Sequence, residues 1–299
     1  GLITVTEGSN HADIILGSED RKITGLTINA GGQGIDNKNG NVYVYGADDS
    51  VINISSINTS GEMENQAAIN NNADKGTITI NGGSITLSTM YGFGNGITNG
   101  VSIKEIGSMK KIDVYDSTTL IETNEVTINA SVDGVRNFKG STTLDTNGSN
   151  EITATENAVY AYAKDSDIFI VVPLGNAKVE DSVNAVINIR ATKNENTNKS
   201  IEGKEYNNIL SGGQNGIRSD SLGTTNIIAN DKNKVNGNVN GIYTTEKGVI
   251  NLEAGVSNII NNNVVSDKNK GYGSKYAVNA TKGTVNFKAG IENSIYGAV

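Results

Sequence analysis

The chain has 299 residues, one Pro, no Cys, no Trp, 36 Gly and 44 Asn, with a formal net charge of −8 and a sequence pI near 4.8. An acidic chain lacks the basic surface that displaces counterions from phosphates, so nucleic acid is not expected as a partner. With no Cys and a single His, His11, the chain can build no disulfide scaffold, thiolate nucleophile, Cys-ligated zinc or multi-histidine centre, and neither a metal nor a cofactor is expected.

Absence of Cys fits a reduced cytosol, and equally a secreted chain that crosses a membrane unfolded. No stretch approaches the roughly 18 apolar residues that span a bilayer. The opening GLITVTEGSN has no basic segment followed by an apolar one, so any export signal is expected to be already missing. Hydrophobic residues make up 36% and gather in short β-branched clusters, which argues for a packed chain over a disordered one.

A small residue followed by Ile or Val recurs along the chain. It stands at Gly34-Ile35, Ala68-Ile69, Gly96-Ile97, Gly134-Val135, Ala158-Val159, Gly216-Ile217, Gly241-Ile242 and Ala277-Val278. Successive Ile/Val positions are 34, 28, 38, 24, 58, 25 and 36 residues apart. The 58 is close to twice 29, which predicts one turn that has lost the pattern. A second apolar alternation follows each copy after a polar stretch, as in VYVYG at 42–46, TITING at 77–82, VINIRA at 186–191, TNIIAN at 225–230, VINLEAG at 249–255 and TVNFKAG at 284–290. Segments 241–259 and 277–295 share the order small, apolar, polar run, Lys-Gly, alternating strand, Ala-Gly, apolar, polar pair and Ile.

A unit of about 25 to 35 residues holding at least two short strands cannot bury its apolar face alone. If each unit is one coil, strands of successive coils pair in parallel about 4.8 Å apart and their inward Ile, Val and Leu form a continuous column. The expected fold is all-β: a parallel β-helix solenoid of roughly 10–12 turns, about 50 Å long, forming a single domain over 1–299. Polar insertions are expected near 100–125, with a basic spot at Lys104, Lys110 and Lys111, and near 191–208. Asn and Gly suit the tight corners. Asn95, Asn157, Asn215 and Asn240 each precede the small-apolar pair and form a candidate amide ladder. Both ends of the chain read as open turns, which marks it as a fragment of a longer protein.

The texture of 240–260, Asn-Gly-Ile followed by a polar turn, VINL, Ala-Gly and an Asn-rich stretch, resembles the passenger domains of Gram-negative, type V autotransporter adhesins. The resemblance covers nearly the whole chain. It implies a right-handed parallel β-helix at the cell surface, anchored to the outer membrane only through a C-terminal barrel outside this chain. It also implies a role in adhesion, autoaggregation or biofilm formation, as in virulence. The partners implied are a host or bacterial surface glycan or protein, or neighbouring copies of the passenger. No catalytic residue carries over.

Parallel β-helices also carry polysaccharide lyases and glycosidases, whose sites need clustered carboxylates. The carboxylate pairs here are Glu19-Asp20, Asp48-Asp49, Asp165/Asp167 and Glu180-Asp181, of which Asp48-Asp49 follows a strand as a catalytic pair would. Acidic solenoid turns hold such pairs routinely, and a non-enzymatic function is expected. A phage or secreted structural β-helix is the other alternative. His11 reads as a solvated turn residue.

One constellation stands out. Alternation turns the residue after each inward Ile/Val outward, so one outward column reads Asp36, Asn70, Thr98, Arg136, Tyr160, Arg218, Tyr243 and Asn279. Arg and Tyr, the residues that most often carry interface energy, take four of its eight places. Tyr162 points the same way one pleat on. Arg136, Tyr160, Tyr162, Arg218 and Tyr243 are therefore the candidate partner-binding residues.

Overall fold

The computed structural model describes residues 3–5, 11–57, 66–90, 94–106, 109–163, 167–169, 185–193, 204–262 and 276–297. These residues form a parallel β-helix of nine coils, each contributing one strand to each of three faces. The first face is a nine-stranded sheet from Ile3–Val5 to Tyr276–Thr281. The second and third faces belong to one fifteen-stranded sheet, because Gly40–Ile57, Thr77–Met90 and Ser117–Ala130 run unbroken across the corner between them. Later coils break that corner with a turn, as between Val249–Ala254 and Ser257–Asn262.

The recurring Ile and Val become the inward column of the first face. Ile35, Ile69, Ile97, Val135, Val159, Ile217, Ile242 and Val278 pair in unbroken parallel register, and all but Val278 are fully buried. The second-face alternations stack the same way, placing Val44, Ile80, Ile121, Leu144, Ile189, Ile227 and Leu252 in one buried column. Each such side chain contributes about 1.5–3 kcal/mol of transfer free energy.

Among the described residues the coils number nine, against the ten to twelve expected. Tyr160 pairs directly with Arg218, so the 58-residue interval is one long coil and not two. Its three strands are Asn157–Ala163, Ala185–Ala191 and Asn208–Gly212. The insertion placed at 191–208 falls within this coil, with residues 194–203 outside the described residues. The insertion placed at 100–125 is shorter: Val101–Ile106 and Met109–Val114 form an antiparallel hairpin, joined by Asp167–Phe169, whereas Ser117 already begins a coil strand. Segments 241–259 and 277–295 stack as expected, but their offset is 36 residues on the first face and 35 on the others, so one turn is a residue shorter. In both, the turn Lys is left-handed, with φ of 69° at Lys247 and 63° at Lys282.

The small residue before each inward Ile/Val has a steric cause. A Cβ on Gly216 would lie 2.5 Å from Val235 Cγ1 and 2.7 Å from the Gly241 carbonyl oxygen of the next coil. Ala68, Ala158 and Ala277 fill the same position elsewhere, so a methyl is tolerated where neighbours yield. Gly216→Val should cost about 1–3 kcal/mol through overpacking, read as a lowered urea midpoint, with Gly216→Ala distinctly milder; equal effects would refute the steric account.

An amide ladder runs through the interior of the later coils. In the third face, Leu26, Ile52, Ile85 and Val126 share one inward column, and the next coils continue it with Asn150, Asn208, Asn233, Asn258 and Asn293. Each of the first four amides donates to the next rung, at 2.9, 2.8, 2.8 and 2.7 Å. The same Nδ2 groups also donate to backbone carbonyls of Arg190, Ile228, Glu253 and Lys288 at the broken corner. In the coils from Asn150 onward, amides thus replace aliphatic side chains where the strand stops running through the corner and leaves carbonyls to satisfy. The column's first amide, Asn150, follows Val126, which has no donor, and its Oδ1 is unpartnered.

Candidate functional site

The outward residues of the first face lie in register as expected: Asp36, Asn70, Thr98, Arg136, Tyr160, Arg218, Tyr243 and Asn279 are successive partners. Strand spacing of about 4.8 Å falls within the range of centroid separations at which planar groups interact, so neighbouring planar side chains meet. They do so alternately as cation and ring. The Arg218 guanidinium lies 4.8 Å from the Tyr160 ring centroid and 5.5 Å from that of Tyr243, while Arg136 lies 6.0 Å from Tyr160 on its other side. Tyr162 stacks on Tyr160 at 6.2 Å. All five candidate residues are thus brought into one cluster, and the four of the column are half-buried.

Phe138 belongs to this cluster and sequence reasoning passed over it. It meets Tyr162 edge-on at 5.3 Å and Tyr160 at 6.1 Å, and Arg136 lies 4.7 Å above its ring. With Val101 and Val114 at the base of the hairpin it forms a small apolar cluster beneath the two tyrosines. The available signal was its place two residues beyond Arg136, matching Tyr162 beyond Tyr160.

Charge at the site is largely compensated. Arg218 donates through Nε at 2.7 Å to Asp220 Oδ2 and pairs with the same oxygen through Nη2, and Asp220 Oδ1 accepts from Thr245 Oγ1 at 3.0 Å. Arg136 Nε stands 3.9 Å from Asp133 Oδ2, beyond hydrogen-bond reach. Burial pushes the Tyr160 hydroxyl above its ordinary range, so it stays a neutral donor at physiological pH. Burial, then the Asp133 carboxylate, raise Glu156, against the pull of Arg136 and Arg218.

Behind this column runs the ladder anticipated at the residue before the small-apolar pair. Asn240 Nδ2 donates to Asn215 Oδ1 at 2.8 Å, and Asn215 to Asn157 at 2.7 Å. Asn157 donates to Asp133, not to Asn95. Asp133 occupies the rung between them, and Asn95 Oδ1 accepts its backbone N–H at 3.1 Å.

Of the carboxylate pairs, Asp48 has 96% of its side chain exposed at a corner, 3.8 Å from Lys22, and Asp49, Glu19 and Asp20 are exposed. Asp165, Glu180 and Asp181 lie outside the described residues. His11 is exposed and contacts the Asn41 amide at 3.0 Å. Among the described residues, no group of three or more His, Asp or Glu is placed to hold a metal, and no helix is long and apolar enough to cross a membrane. Comparison with known proteins returned no matching family model, no matching curated protein and no matching solved structure.

Proposed function

We propose that this chain is a surface adhesin fragment of the autotransporter-passenger type, a rigid solenoid that binds through side chains displayed along its length. The observation that supports it is the column of Arg136, Tyr160, Arg218 and Tyr243, aligned by strand register and held by mutual stacking on a face of half-exposed side chains. Preorganised aromatic and Arg side chains lose little entropy when a partner docks, and they offer both π-faces and hydrogen-bond donors. A host or bacterial surface glycan or protein is the proposed partner. The proposed location is the cell surface, with the outer membrane as anchor.

Display on cells, followed by attachment and sedimentation assays, tests this reading. Tyr243→Ala, at the edge of the stack, should weaken attachment about ten-fold with the fold intact, and combining it with Arg136→Ala, Tyr160→Ala and Arg218→Ala should abolish it. Unchanged attachment by a folded variant would remove the column as the site. Clumping of cells that survives these changes and needs no glycan would instead favour self-association, in which many weak contacts between neighbouring solenoids sum.

A further inference from the structure

On the second face, away from the Arg/Tyr column, the outward side chains of the later coils enclose an open trench of about 350 Å³. One wall is a surface amide ladder. Asn251 Nδ2 donates to Asn226 Oδ1 at 2.8 Å, Asn226 to Asn188 at 2.9 Å, and Asn188 to Thr143 Oγ1 at 3.2 Å. Two residues further along each strand, Arg190, Ile228 and Glu253 stand side by side in register. The short Ile228 between two long charged neighbours forms an apolar floor, flanked along the solenoid axis by Arg190 and Glu253.

We propose that this trench is a binding site for an uncharged glycan chain lying along the solenoid axis. A sugar ring is amphipathic, with an apolar C–H face and a rim of hydroxyls, and the trench has the matching halves. Ile228 takes the ring face. Each ladder carboxamide has two N–H donors and two acceptor lone pairs, and the ladder uses one of each, which leaves a donor and an acceptor per rung for hydroxyls. Those rungs recur about every 4.8 Å, close to the repeat of an extended sugar chain, whereas a peptide strand advances about 3.3 Å per residue and falls out of step.

Charge selects the same ligand class. Arg190 faces Asp145 at 3.9 Å and Glu253 is paired with Lys288, so both ends of the trench are neutralised and neither an anionic glycan nor an acidic peptide gains from entering. Only hydrogen bonding and ring stacking remain as recognition forces.

The experiment is titration of the purified chain with uncharged hexasaccharides of glucose, galactose and mannose, and with a uronic-acid oligosaccharide as the charged comparison. At least one uncharged hexasaccharide should bind and the uronic acid should not. Ile228→Asp, on an outward side chain and with the thermal melt as the folding control, should weaken binding at least ten-fold. Ile228→Tyr should preserve or tighten it by supplying a ring to stack on. Tyr243→Ala should leave it unchanged, which separates this site from the column on the first face. No binding of any uncharged hexasaccharide, preference for the uronic acid, or equal binding by Ile228→Asp would overturn the proposal.

Discussion

Asn233→Ala should destabilise the solenoid by about 3–5 kcal/mol, seen as a large drop in the urea midpoint with little change in slope. Asn233 is fully buried at the centre of the inner ladder. Its Nδ2 donates to Asn258 Oδ1 and to the Glu253 carbonyl, each at 2.8 Å, and its Oδ1 accepts from Asn208. Truncation leaves buried groups above, below and at the corner without partners, and each such group costs about 1–3 kcal/mol. Asn233→Leu should be nearly as harmful, although Leu26, Ile52 and Ile85 hold the same column in earlier coils. The coils of Ile52 and Ile85 run strand through the corner, so there the column has no broken corner to cap, and Leu26, whose coil does break between Ala12–Leu16 and Ile23–Ala30, is only partly buried near the end of the column. Asn226→Ala, on the solvent side, should cost under about 1 kcal/mol. A loss below about 1 kcal/mol for Asn233→Ala would show that the inner ladder is ornamental to stability.

These two ladders mark where the sequence was readable and where it was not. The small-apolar pair and the alternating strands were legible because inward and outward positions differ in polarity, and period two translates that difference directly into faces. The inner Asn column broke the translation. Asn stands two residues before an inward apolar residue at Asn150-Ile152, Asn208-Leu210, Asn233-Val235 and Asn258-Ile260, which places it on the same, buried side of the strand. The spacing was visible, but a polar residue at an inward position reads as a turn unless its partners in neighbouring coils are considered together. Coil count failed for a related reason. The 191–208 insertion inside the sixth coil has the same Asn-rich composition as ordinary turns, and interval lengths alone do not separate a missing coil from a long one. At the candidate site, register placed Arg136, Tyr160, Arg218 and Tyr243 in one column, while their pairing with Asp220 and the support from Phe138 depend on contacts one pleat away.

Asp133→Asn should stabilise the chain at pH 7 and remove part of its pH dependence. Asp133 fills a rung that Asn occupies in the coils on either side, and it is almost wholly buried. Burial raises its pKa above the ordinary 3.8; Arg136 and the donors from Asn157 pull the other way without overcoming it. The folded chain therefore takes up this proton more readily than the unfolded chain. Below 3.8 both states are protonated and the group has no differential effect; as pH rises from there through the higher folded value, stability is lost. An Asn at this rung carries no charge to desolvate. It keeps the acceptor for Asn157 and gains an Nδ2 that can reach toward Asn95, joining the ladder's two parts. Glu156 should also titrate lower, since the Asp133 carboxylate is one cause of its upward shift. Urea midpoints of the two proteins between pH 3 and 8 should differ most at the alkaline end and converge on acidification. A variant less stable than the parent at pH 7, or a difference constant across the range, would mean that the Arg136 interaction outweighs the burial of the carboxylate.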